Sequence, residues 1–222
     1  MTQVAGRLSA HPERAAPTVS APMGAVPAMV IADPAPLGLA AFGITILCLS
    51  AVYSGWIGAA ATTGVLALAI PLGGVALGLA GMWAFRRGTT FVATAFTSYG
   101  AFWISFYLLV NFYLGGISAA GGAGVASQFL GLYLLAWGIF TSYMLLASLS
   151  SGRAMTLVFV LLTLTFFMLA AGEWANPAIG SRGETLHHIG GYLGIATAVA
   201  MLYGSFAEVT NANFKRVILP TF

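Results

Sequence analysis

Six stretches of the chain carry no Asp, Glu, Lys or Arg: residues 36–54, 62–83, 91–114, 129–149, 154–172 and 186–206. Each is close to the ~20 apolar residues that a helix needs to cross ~30 Å of hydrocarbon, so the pattern predicts six transmembrane helices. The first run opens within "DPAPLGLAAFGIT" (33–45), where two prolines and an acid stand at its threshold. A proline in the first turn of a helix costs little, because the N–H it lacks would be unpaired there anyway. The stretch therefore predicts a helix start, with Asp33 at the N-cap or beside it.

Composition narrows the class. Of 222 residues, 59% are hydrophobic and 6% charged, with a mean hydropathy of +0.95. A soluble domain carries about 25% charged residues, so the fold class is an all-α integral membrane protein. Residues 31–222 are expected to form one six-helix domain. Residues 1–30, rich in Ala and Pro, lack a basic stretch followed by an apolar one and are expected to be a disordered cytoplasmic tail, not a cleaved leader. With 13 charged residues and a net charge of +3, no nucleic-acid surface is implied. Cys48, the single cysteine, makes no internal disulfide and reads as a small buried residue.

The basic residues orient the chain. Arg7, Arg14, Arg86, Arg87, Arg153, Lys215 and Arg216 fall on one side of the six runs, and Arg182 alone on the other. By the positive-inside rule both termini are cytoplasmic. In the second run Gly74 and Gly78 form a G-x-x-x-G pair that Gly81 continues, a small face for close helix packing, and Pro71 is expected to kink this helix. "GIT" (43–45) and "GIFT" (138–141) lie on helices of opposite direction, a weak trace of an inverted repeat.

The chemistry has to work without charge, because the runs contain none. Pumps and ion-coupled carriers commonly hold ionisable residues in the membrane. An uncharged interior suits a small solute that crosses neutral, or whose charge is met by hydroxyls and backbone dipoles. No H-E-x-x-H and no acid pair lies in a helix, so an enzyme is disfavoured and neither cofactor nor metal is expected. His187 and His188 point about 100° apart on a helix and cannot grip one metal together. They are expected at the solvated interface, with proton sensing as the alternative. The clearest polar stripe is in the third run: Thr90, Thr94 and Thr97 share one face, widened by Ser98 and Tyr99. It serves either as helix-to-helix glue or as the wall of a pathway.

Three blocks carry a family resemblance. "DPAPLGL" (33–39) resembles N-P-A-P-L-G-L, "GTTFVATAFTSYGAFW" (88–103) resembles G-N-T-F-x-x-T-A-F-x-S-Y-G-x-F-W, and "AEVTNANFKRVILP" (207–220) resembles G-E-V-x-N-x-x-F-G-R-x-x-L-P. These are signatures of the acetate uptake transporter family, also called the succinate–acetate permease or GPR1/FUN34/YaaH-type family. The resemblance implies homo-hexamers in the plasma membrane. It also implies, in each protomer, a pore for acetate and related short carboxylates, succinate in some members, with a proton accompanying the substrate or with channel-like conduction. It places an apolar constriction at Phe42, Tyr99 and Leu162, the last on the weakest motif. Pro34, Pro36, Leu37 and Gly38 would shape the cytoplasmic mouth with Asp33, where free N–H groups at the helix start favour a carboxylate. Three positions depart from the pattern: Asp33 stands for Asn, Ala84 where a Glu is frequent, and Lys215 for Gly. Outside the resemblance, a pore for a neutral amide or ammonia and a non-conducting membrane scaffold remain as alternatives.

Overall fold

The computed structural model describes residues 31–221 apart from 177 and 179; the expected disordered tail, residues 1–30, lies outside the described residues. Among the described residues every regular element is helical. Six helices are long and apolar enough to span a membrane: α1 (Ala35–Tyr53), α2 (Ala59–Arg87), α3 (Thr90–Gly121), α4 (Ala123–Ser148), α5 (Arg153–Trp174) and α6 (Arg182–Phe214). They coincide with the six charge-free runs, and most overrun them at one or both ends.

The start of α1 follows the prolines as expected. Pro34 is the N-cap, and Asp33 beside it accepts the Ala35 N–H at 2.9 Å, satisfying one of the donors a helix start leaves free. In α2 the missing donor at Pro71 is absorbed by a change of helix type. The helix widens into a π-helical segment over Ala69–Ala76 and then continues as α-helix to Arg87. Gly88, at φ 76°, takes the left-handed cap that ends it, with Arg86 and Arg87 in the last turn against the negative helix end.

The small face of α2 packs on α3. A Cβ at Gly100 would stand 2.9 Å from the Gly74 carbonyl oxygen and 3.0 Å from the Gly78 nitrogen, so the two backbones touch. On the other side α1 packs along α6, and α5 lies between α4 and α6. The core at their meeting point holds Phe42, Leu77, Tyr99, Trp103 and Leu162, each at most 1% exposed. Large apolar side chains such as Leu79, Trp83, Ile139, Leu146 and Phe206 cover the outside, as suits a surface facing hydrocarbon.

Ser205 of α6 donates its hydroxyl to the Pro36 carbonyl at 2.7 Å, tying the end of α6 to the start of α1. Both ends of the described chain thus share one face of the bundle, here the terminal face. Tyr53, Glu173 and His187 lie at the opposite, distal face.

Candidate functional site

At the terminal face Asp33 meets Arg87 at 2.7 Å, with side chains 57% and 31% exposed. Asp33 is not the one acid at this face. Glu208 of α6 shares an open recess of about 970 Å³ with Asp33, Pro36 and Leu37. It also lines a second recess of about 280 Å³ with Leu39, Val158 and Met201. One of its carboxylate oxygens is buried with no hydrogen-bond partner among the described residues. Glu208 stands in the "AEV" block of the sequence, which held the signal that could have found it. Gly38 has a steric role: the Phe96 ring occupies the space a Cβ would need, so the chain after Pro36 can approach α3 closely.

One to two turns deeper, Phe42 and Tyr99 are each 1% exposed and Leu162 0%. The Phe42 and Tyr99 rings stack with centroids 5.0 Å apart, and Trp103 meets Phe42 edge-on at 6.0 Å. Phe42 and Leu162 wall the same internal void of about 20 Å³, room for about one water molecule. The structure therefore brings the three expected residues into one apolar core. It also adds Thr141, which sequence reasoning had noted only as part of a repeat. The Thr141 hydroxyl donates to the Trp137 carbonyl at 2.7 Å, and the Tyr99 hydroxyl lies 2.9 Å from it. Since Thr141 has one proton to give, Tyr99 is the donor in that contact, and its ring is pinned.

The void continues away from the terminal face between Ile46, Ser50, Tyr53, Trp103, Thr165 and Leu169. The indole N–H of Trp103 is buried without a partner among the described residues. One turn past Leu169 on α5 stands Glu173, 7% exposed, the one charged residue in the buried class among the described residues. His187 of α6, 12% exposed, places Nε2 at 3.4 Å from its Oε1, and the Tyr53 ring meets the imidazole edge-on at 5.2 Å. Glu173 also lines a distal recess of about 430 Å³ with Ser127, Gln128 and Trp174.

Two sequence expectations are corrected here. The interior is not free of acids, because α5 runs past residue 172 to Trp174 and carries Glu173 into the packed bundle. Nor is His187 a solvated interfacial residue. Gly172 leaves a notch in α5 that its imidazole fills.

The polar stripe divides. Thr90 is exposed, while Thr94, Thr97 and Ser98 are half-buried. Thr97 lies against Gly81 on the seam between α3 and α2. Among the described residues no group of three or more His, Cys, Asp or Glu is placed to hold a metal ion.

The model of the GPR1/FUN34/yaaH family matches residues 16–222. The chain belongs to this family. Within it, the chain is 37% identical to the succinate-acetate/proton symporter SatP of Escherichia coli K12 over 191 residues, 86% of this chain and 95% of the relative. It is 35% identical to acetate permease A of Emericella nidulans, over 88% of this chain and 67% of that one. A solved structure of the bacterial acetate channel SatP superposes with a TM-score of 0.75 at 34% identity, covering 87% of this chain and 100% of the other. The chain is thus a multi-pass membrane protein, not an enzyme, of a family that includes a symporter, a permease and a channel.

Proposed function

We propose that this GPR1/FUN34/yaaH family member carries acetate and related short carboxylates, succinate among them, across the plasma membrane together with a proton. The path runs within one protomer of a homo-hexamer, from the recess at Leu39, Val158 and Glu208, through Phe42, Tyr99 and Leu162, to the distal recess at Glu173. What supports this reading is the buried apolar cluster of Phe42, Tyr99 and Leu162, with the recess at Leu39, Val158 and Glu208 toward the terminal face and the recess at Glu173 toward the distal one. A narrow apolar ring excludes hydrated ions, because stripping their water there is uncompensated, while a methyl-ended acid that crosses neutral loses little. The unpartnered Trp103 N–H beside it supports the reading, as it offers a donor to a passing carboxyl oxygen. Of the polar stripe at Thr94, Thr97 and Ser98, Thr97 then packs α3 against Gly81 of α2 rather than touching substrate.

The terminal face is cytoplasmic in this proposal, as the seven-to-one division of basic residues supports. Asp33, Pro34, Pro36, Leu37 and Gly38 form the cytoplasmic mouth. Uptake of labelled acetate into vesicles holding the purified protein, with and without an inward proton gradient, tests the function. Gradient-driven uptake above that of protein-free vesicles is the expected result. Rates equal to those of protein-free vesicles under both conditions would remove acetate as the substrate.

A further inference from the structure

We propose that Glu173 and His187 form the distal proton-loading site of the pathway, the pair that converts an arriving carboxylate into the neutral acid that passes Phe42, Tyr99 and Leu162. The proposal rests on the acetate reading above and assigns its proton to named atoms. Three observations point to the pair. Glu173 and His187 are held Oε1 to Nε2 at 3.4 Å, both nearly buried. Tyr53, which packs on the imidazole, lines the internal void, while Glu173 lines the distal recess, so the pair sits at the partition between the two. The imidazole Nε2 is buried and makes no hydrogen bond among the described residues, so the Glu173 carboxylate at 3.4 Å is the polar group it faces.

The close surroundings hold Tyr53 and the chain neighbour His188 as the further titratable groups. Tyr53 from α1 and Glu173 from α5 face the imidazole. From α4 the distal recess contributes Ser127 and Gln128, both uncharged. His188, the chain neighbour, turns toward Gly55. Arg182 and Glu184 lie at the start of α6, where the Glu184 carboxylate accepts the Gly180 N–H. Without a proton the pair is anionic and repels a carboxylate. With one it is neutral, and with two it is cationic and attracts the substrate. Loading is then a single proton transfer. The N–H of His187 or the O–H of Glu173 breaks, an O–H bond forms on the substrate, and distal water returns a proton to the pair. At the terminal face the acid's O–H breaks again and its proton passes to water beside Glu208.

The pH profile separates this from a path that admits only acid already neutral in solution. Above its pKa, a carboxylic acid loses about ten-fold in neutral fraction per pH unit. A path limited to that fraction therefore has log rate falling about one unit per pH unit, whereas a loading pair bends the profile to a plateau while it still holds its proton. The experiment compares initial influx of labelled acetate into vesicles, corrected for protein-free vesicles, from about pH 5 to about pH 8 for wild type, Glu173→Gln and His187→Gln. The wild type is expected to show the bend. Both variants are expected to follow the unit slope, near wild type at about pH 5 and about ten-fold slower or more at about pH 7.5. Variants that keep the wild-type bend would overturn the proposal, and so would a wild type that already follows the unit slope. A loss of equal size at every pH would show that the pair only shapes the path, and would overturn it too. Failure of the acetate reading is distinguishable, because the wild type would then match protein-free vesicles throughout.

Discussion

Tyr99 is buried with a hydroxyl that has one partner, Thr141, and that partner has spent its own proton on Trp137. Replacing Thr141 by Val leaves the phenol without an acceptor and is expected to cost about 1–3 kcal/mol, read as a lowered thermal midpoint in detergent. Phe42→Ala removes the ring stacked on Tyr99 and enlarges the adjoining void; a loss of about 3–5 kcal/mol is expected if the site does not collapse. Its transport signature is separate: larger carboxylates should compete with acetate uptake where they do not in wild type. Unchanged competition in a folded Phe42→Ala protein would place the constriction elsewhere. At the mouth, the Asp33–Arg87 pair is largely exposed, so Asp33→Asn should change stability by no more than about 1 kcal/mol. It leaves Arg87 unneutralised, and acetate flux from the cytoplasmic side should rise at neutral pH. In acid the difference should vanish, because a neutral substrate feels neither charge.

The helices themselves were readable, and so was the reason for the start of α1, since charge-free length and the "DPAP" prolines are local signals. Their ends and rotations were not. A run bounded by its first charge stops at residue 172 by definition, yet α5 continues one turn-face beyond Leu169 and makes Glu173 a core residue. The pairing of Glu173 with His187 joins two helices across a connection, and one sequence holds no measure of their mutual rotation. The π-helical segment near Pro71 had a visible cause, whereas the one at Leu109–Tyr113 contains no proline to announce it. The notch at Gly172 offers a test at this scale. Gly172→Ala places a methyl against the imidazole and within 3.0 Å of the Gly183 carbonyl, so α5 and α6 must part or His187 must turn out. A destabilisation of about 1–3 kcal/mol is expected, together with the same loss of flux at neutral pH as His187→Gln.

For the molecule as a whole, the seven-to-one charge division and the shared terminal face make one topological statement. With Cys48 replaced by Ser, a cysteine at Thr185 should react with an impermeant reagent in intact cells, and one at Asn213 only after the cells are opened; both positions are exposed. The reverse labelling would turn the mouth outward. Phe42 and Tyr99 were legible because they sit in sequence blocks; Leu162 lies outside the blocks, and it lines the internal void beside Phe42. The recesses on either side were not, since each joins residues far apart in the chain: α1, α5 and α6 at the terminal face, α4, α5 and the loop after it at the distal one.

Between Glu173 at one end and Glu208 at the other, the described interior offers no fixed charge to a substrate in transit. A carboxylate moving alone would do work against the membrane voltage, about 2.3 kcal/mol per charge for each 100 mV. A carboxylic acid moving with its proton does none. Clamping the vesicle voltage with a potassium ionophore should therefore leave the final accumulation of acetate unchanged. That accumulation should instead track the transmembrane pH difference, about ten-fold per unit. An organism using such a carrier would gather acetate whenever its surroundings are more acidic than its cytoplasm, whatever its electrical state.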